Sequence, residues 1–401
     1  MADFKMLVGN TLPQSDMKST PWRLMYTQSS IVGPSVSSGQ TRFTLPKRDY
    51  MDVSSLRWRA KLNVNTTDAN ARLAGKTVDI LIDRVRVVQG TTVVFEQESN
   101  SLITNTLETY MVKDSESQSF EKLLSDYPTD VSRSSQVLTT HTVDREVVGH
   151  LSPHGTFLNS NTILPLKMCS SPAHIDIYWS APEIAFLSTD TSLSYSLTDL
   201  ELCWNGLTSP SLDQYFSGGE HRWNVCHYDH CYNQIPSATS SINLRIPSNH
   251  SSIRGLLTLT QDQANIGDIT VDALESCFTS SDAFQEMDFR IQTKSIYDQA
   301  IDHLSDHHRE FTHVFPYVSE SKFLTASAYV GNSFPIVTNL MGAPSQFSQH
   351  FRSSLTSSAL STDMILQLKY RNQPTSLQQC DSYLIAESSY SFSRGMIRME
   401  M

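Results

Sequence analysis

The sequence predicts an all-β fold: two tandem eight-stranded antiparallel jelly rolls with a few short helices. Three observations lead there. Short runs rich in Val, Ile, Phe, Tyr and Thr recur throughout, many alternating apolar with polar residues as a half-buried strand requires. Helical patterns are few and short, so the crossover helices of a parallel α/β sheet are missing. One local unit, strand, turn, strand, helix, occurs twice at an offset of roughly two hundred residues, half the chain.

The first copy of that unit spans residues 78–111. Ile80, Ile82, Val85 and Val87 lead into Gln89-Gly90-Thr91-Thr92, a short turn carrying a glycine, and Val93 and Phe95 lead out of it. Ser99 or Asn100 can then cap a helix in which Ile103, Leu107, Tyr110 and Met111 recur at helical spacing. In the second half Met287-Asp288-Phe289-Arg290-Ile291-Gln292 echoes Asp83-Arg84-Val85-Arg86-Val87, and a helical pattern runs through Ile301, Leu304, His308 and Phe311. A further pair keeps the same offset: Arg42-Phe43-Thr44-Leu45-Pro46 against Asn243-Leu244-Arg245-Ile246-Pro247, each an alternating strand stopped by proline. Two echoes at one offset suggest duplication; the alternative is chance resemblance between two β domains.

Taken in order, residues 1–40 read as an extended N-terminal arm, with Pro13, Pro21, Pro34 and the small-residue run Gly33-Pro34-Ser35-Val36-Ser37-Ser38-Gly39. Phe4, Met6, Leu7 and Val8 make it too apolar to float, so a contact with a neighbouring subunit is expected. Residues 41–207 form the first jelly roll. Its clearest strand is Leu56-Arg57-Trp58-Arg59-Ala60-Lys61-Leu62-Asn63-Val64, where Arg57, Arg59 and Lys61 read as a solvated face rather than a polyanion site. Beyond an acidic polar segment at 113–130, strands are expected at 137–148, 162–166, 174–179 and 193–207. Residues 208–235, with Gly218-Gly219, read as a linker, and 236–401 as the second jelly roll, with strands at 242–246, 253–260, 289–291, 323–330, 364–370 and 383–399.

The 401 residues suffice for two domains, each burying roughly 70 % of its unfolded surface without help from disulfides or metals. A formal net charge of -11 argues against nonspecific binding to nucleic acid or anionic membranes. Cys169, Cys203, Cys226, Cys231, Cys277 and Cys380 are scattered without a CxxC pair, so reduced thiols are expected. The N-terminus carries no basic region followed by an apolar run, and no stretch is long and apolar enough to cross a membrane as a helix; synthesis in the cytoplasm without secretion is the expectation.

Two clusters of residues offer metal-ligating side chains. Cys226, His227, His230 and Cys231 offer four zinc-type ligands, but adjacent Cys-His and His-Cys pairs strain to point inward together. His303 and His307 stand at i and i+4 on the expected helix, yet Leu304 occupies the place of the general-base Glu in HExxH. Neither set is expected to hold a metal. The His-x-His barrel pattern of a bicupin, a Gly-x-Ser-x-Gly elbow and a phosphate-binding Gly-rich loop are missing. The expectation is therefore no catalytic residue, no cofactor and no metal.

The order and spacing of these elements resembles the double jelly-roll major capsid proteins of tailless icosahedral double-stranded DNA viruses, including tectiviruses, virophages and large virus-like transposons. The resemblance rests on the polar arm, residues 42–46, 56–64, the hairpin with its helix, the domain-closing 194–202, the near repeat and the final 383–399. It implies a non-enzymatic structural protein that forms homotrimeric capsomers with a pseudo-hexagonal outline in the virion. The implied partners are neighbouring capsomers, penton and minor capsid proteins, with the arm on neighbouring subunits or an inner membrane, and no sequence-specific nucleic-acid binding. Tandem jelly rolls also occur in some capsid subunits of small RNA viruses. The alternative class is a non-viral carbohydrate-binding or glycan-processing tandem β-sandwich, which would show a groove of exposed aromatics; here Trp22, Trp58, Trp179, Trp204 and Trp223 lie mostly in strand patterns that read as core.

Overall fold

Alternation is the local rule from which the fold is built. Along residues 56–64 the side chains of Leu56, Trp58, Ala60, Leu62 and Val64 are buried, while Arg57, Arg59, Lys61 and Asn63 turn the other way. Arg59 and Lys61 form ion pairs on that outer face with Glu146 and Asp199. The structure is a computed structural model and describes residues 18–25, 39–75, 78–111, 145–248, 250, 252–271, 284–291, 294–315, 335–340, 355–356 and 364–400. The expectations for residues 1–17 and 26–38 of the arm, for 113–130 and 137–144, for Cys277 and for the strand at 323–330 lie outside them.

The strands of the first half are β1 (Lys18–Met25), β2 (Gln40–Thr44), β3 (Tyr50–Asn65), β4 (Arg72–Leu73), β5 (Ile82–Gln89), β6 (Thr92–Gln97), β7 (Arg145–Gly149), β8 (Ile163–Leu164), β9 (Ala173–Trp179), β10 (Phe186–Leu187) and β11 (Ser194–Thr208). Those of the second half are β12 (His221–Ile235), β13 (Ser241–Ile246), β14 (Ser252–Asp262), β15 (Phe284–Ile291), β16 (Lys294–Ser295), β17 (Ile336–Asn339), β18 (Leu355–Thr356), β19 (Met364–Tyr370), β20 (Gln378–Ser393) and β21 (Met396–Glu400). Among the described residues four α-helices join them: α1 (Asn100–Met111), α2 (Pro182–Ala185), α3 (Pro210–Ser217) and α4 (Leu304–Val314).

The sheet orders repeat. In the first half one sheet runs β1-β11-β3-β7 and the other β2-β9-β5-β6. In the second half one runs β12-β20-β14-β17 and the other β13-β19-β15-β16. With the minor strands β4, β8, β10, β18 and β21 set aside and the remaining eight of each half lettered B to I in chain order, both halves read B-I-D-G against C-H-E-F. That is the order of a jelly roll, two Greek keys folded into facing sheets. The sequence echoes fall at equivalent places in the two halves: residues 42–46 and 243–247 close strand C of each half, and α1 and α4 each follow strand F.

Two stretches differ from the sequence expectation. Residues 18–25, read within the arm, form β1, an edge strand paired antiparallel with β11 from Lys18↔Thr208 to Met25↔Glu201. Pro21 interrupts no inner ladder there, because among the described residues β1 pairs only with β11. Residues 221–235, read as part of the linker, form β12, paired along its whole length with β20. Its alternation is hidden because His227 and Tyr228 are buried where an apolar residue would be expected. Between β11 and β12 the connection is mainly α3, started by Pro210 and by Ser209, whose side chain accepts from the Ser211 N–H.

The two cores are contiguous. Trp58 meets Trp179 edge to face at 5.5 Å in the first, and its indole N–H is shared between His150 O at 3.1 Å and Asp79 Oδ1 at 3.3 Å. In the second, α4 buries His307, Glu310 and Phe311, while Leu304 and His308 of the expected stripe face solvent. The helix turns this way because the Glu310 carboxylate has buried partners, the Tyr297 hydroxyl at 3.0 Å and the Asn339 N–H at 2.9 Å.

Burial lowers the pKa of His307 from an ordinary 6.5 to about 4, although Asp306 and Asp302 pull the other way. Between those values the unfolded chain binds a proton that the folded one refuses, so the contribution is complete above about pH 6.5 and is lost as pH falls toward 4. The expected slope from this group is roughly 1.4 kcal/mol per pH unit. Urea midpoints measured at neutral pH and near pH 5 check it: His307→Asn should flatten the acid loss.

Candidate functional site: the seam between the jelly rolls

Buried polar side chains meet where strands E and F of the first half face strands B and I of the second. Gln89, at the end of β5, is fully buried. Its Nε2 donates to Gly395 O at 2.9 Å and its Oε1 accepts from the Ile397 N–H at 2.8 Å, so one amide clamps the β20–β21 hairpin. Gly395 O also accepts from the Ser170 N–H at 2.8 Å. Gln97 of β6 donates to Tyr228 O at 2.9 Å, the Ser99 and Tyr383 hydroxyls meet at 2.9 Å, and the Cys226 N–H donates to Gly155 O at 2.8 Å.

Aromatic rings fill the space between these bonds. Phe157, with no exposed surface, packs at 5.7 Å from Phe95, 4.7 Å from Tyr390 and 6.5 Å from Trp223. Further along, Phe216 of α3 stacks on Tyr50 at 5.3 Å and meets Phe392 edge-on at 6.0 Å. The Tyr50 hydroxyl donates to Asp213, whose carboxylate also accepts from Lys167. Burial and the Asp213 carboxylate push the Tyr50 pKa well up, while Lys167 and Tyr50 hold that carboxylate below its usual range. Hydrogen bonds whose partners sit on different halves, closed over by rings, tie the two jelly rolls together. Gln89→Leu removes one partner of Gly395 O and of Ile397 N–H, and is expected to cost about 2 kcal/mol in chemical denaturation.

The histidines and cysteines singled out in the sequence separate here. Among the described residues no three of Cys226, His227, His230 and Cys231 bring ligand atoms together. Successive residues of β12 alternate in direction, and Cys231 donates to Arg245 O while His230 Nε2 lies 2.7 Å from Asp381. His303, at the start of α4, is largely exposed, and His307 is buried under the helix. His227 instead meets Asp229 and His250, with ligand atoms all within 4.8 Å. Asp229 was missed because i, i+2 spacing puts residues together only on a strand, and His250 because the loop after β13 must fold back to reach it. This cluster borders a cleft of about 310 Å³ shared with Val94, Phe95, Glu96 and Glu98 of the first jelly roll. The described cysteines Cys169, Cys203, Cys226, Cys231 and Cys380 carry no disulfide. Among the described residues no helix is long and apolar enough to cross a membrane.

No family model matches the sequence, and no curated protein matches it. Solved structures do. VP54 of PBCV-1, fitted into a reconstruction of the virophage Sputnik, aligns at a TM-score of 0.66 over 98 % of this chain and 99 % of its own, with 10 % identity. The Faustovirus major capsid protein aligns at 0.63 over 96 % and 92 %, with 8 % identity. The mavirus major capsid protein aligns at 0.57 over 97 % and 90 %, with 10 % identity. At such identities the likeness is one of fold, and over nearly its whole length this chain has the double jelly-roll fold found in viral major capsid proteins.

Proposed function

We propose that this chain is the structural major capsid protein of an icosahedral virus, assembling into homotrimeric capsomers of pseudo-hexagonal outline, and that it is not an enzyme. The observation that carries the reading is the repeated B-I-D-G and C-H-E-F order in two halves fused along a buried seam. A rigid pair of like domains offers nearly equivalent walls, and three such pairs around a threefold axis close a ring of six. The major capsid proteins of Faustovirus and mavirus, similar in fold over at least nine-tenths of both chains, support it. In this reading the first jelly roll runs from β1 through β11, α3 is the connection, and the second begins at β12. The partners are neighbouring capsomers, penton and minor capsid proteins in the virion, with the N-terminal arm on a neighbouring subunit or an inner membrane. Direct nucleic-acid binding is not part of it, given a net charge of -11 and the ion pairing of Arg59 and Lys61.

The carbohydrate-binding alternative needs an exposed aromatic platform. Trp58, Trp179 and Trp204 are 0 %, 3 % and 4 % exposed, and Trp223 packs against the core. Electron microscopy of concentrated protein tests the choice: hexagonally outlined particles tiling into sheets support the capsomer, whereas isolated monomers that bind soluble glycans favour the other reading.

A further inference from the structure

The cluster on β12 has the makings of a ligand set that the capsomer reading does not use. His227 and Asp229 stand two residues apart on a strand whose positions are fixed by pairing with Ala386 and Leu384 of β20. His250 comes in from the connection between β13 and β14. The Asp229 carboxylate lies between the two rings, Oδ1 at 2.8 Å from His227 Nδ1 and Oδ2 at 2.5 Å from His250 Nε2. His227 Nδ1 is buried, with the Asp229 carboxylate beside it. On the far side of the other ring, His250 Nδ1 meets the Ser388 hydroxyl at 3.1 Å. A partner there fixes the ring and leaves Nε2 for a ligand, as the outer contacts of metal-bound histidines do.

We propose that His227 Nδ1, His250 Nε2 and the Asp229 carboxylate form a binding site for a zinc-class divalent cation at the seam. Zinc held at about 2.1 Å keeps tetrahedral ligands about 3.4 Å apart, and the three ligand atoms here all lie within 4.8 Å of one another. Two imidazoles and one carboxylate suit zinc and its transition-metal neighbours, whereas calcium and magnesium take oxygen ligands. The fourth position opens on the cleft of about 310 Å³ and takes water. The ion ties the β13–β14 connection to β12, directly beneath β6 of the first jelly roll, and so stiffens the seam. The proposal stands whether or not the protein is a capsomer.

The test uses the full chain stripped with a chelator and titrated with Zn2+ alone by calorimetry, and with Co2+ followed by its visible absorption. One site per chain with a Kd of about 1 µM or tighter is expected, with a four-coordinate Co2+ spectrum and a denaturation midpoint raised by Zn2+. His250→Ala and Asp229→Asn should each weaken binding by about 100-fold, and Ser388→Ala, which spares the ligands, by about 10-fold. His303→Ala, on an exposed side chain, should leave it unchanged. The Ser388 variant decides the matter should the ligand variants fail to fold. Absence of Zn2+ binding up to about 100 µM, or binding that ignores both His250→Ala and Ser388→Ala, overturns the site and leaves an ion-paired triad.

Discussion

Phe157→Ala is expected to lower stability by about 3–5 kcal/mol, among the largest effects of any single truncation in the chain. The ring is completely buried, and its neighbours come from both jelly rolls: Phe95 from β6, Tyr390 from β20 and Trp223 from β12. Removing it leaves a cavity between the halves, where neither core can collapse to fill it. Phe289→Ala serves as comparison, since Phe289 is equally buried but lies on β15, within the second sandwich. Both should shift the denaturation midpoint, but only the Phe157 variant should broaden the transition as the two jelly rolls begin to unfold separately. A loss below about 1 kcal/mol would show that the aromatic cluster does not hold the seam.

Gly395→Val is expected to cost about 2–4 kcal/mol. Arg394 and Gly395 both have positive φ, 52° and 77°, and form the two-residue turn between β20 and β21. A Cβ on Gly395 would sit 2.8 Å from Ser170 N and 3.0 Å from Met168 O, backbone atoms of the first jelly roll that cannot swing aside. The hairpin would have to withdraw, taking with it the bonds of Gly395 O to Ser170 and Gln89. Gly267→Val is the control: its φ is 79°, but nothing lies within 4 Å of the added carbon, so only the backbone strain of about 1 kcal/mol should register. Equal losses at the two glycines would mean that the close approach at the seam contributes nothing.

The fold was legible where its determinants are local. Strand C of each half shows as alternation ending in proline, and the E–F hairpin of the first half shows as two β-branched runs around Gly90. The halves match through those pieces because each pair keeps the same offset along the chain. Strand β12 was hidden because its inner residues answer to the other jelly roll: Tyr228 gives its carbonyl to Gln97, and His227 meets Phe95 edge-on at 5.7 Å. Polar and aromatic residues facing a partner domain do not alternate as they would over an apolar core. The face of α4 was misjudged for a similar reason, since a buried Glu310 makes sense only once Tyr297 and Asn339 are beside it. The Cys226 to Cys231 run is a compact ligand set in sequence only, since β pairing scatters its members and joins His227 to Asp229 and His250 instead.

Light scattering after size exclusion on dilute protein tests the central claim, that two fused jelly rolls serve as one-third of a capsomer. A mass of three times the 45.0 kDa chain, stable on dilution, is the result this account predicts. A mass of 45.0 kDa at every concentration would contradict it.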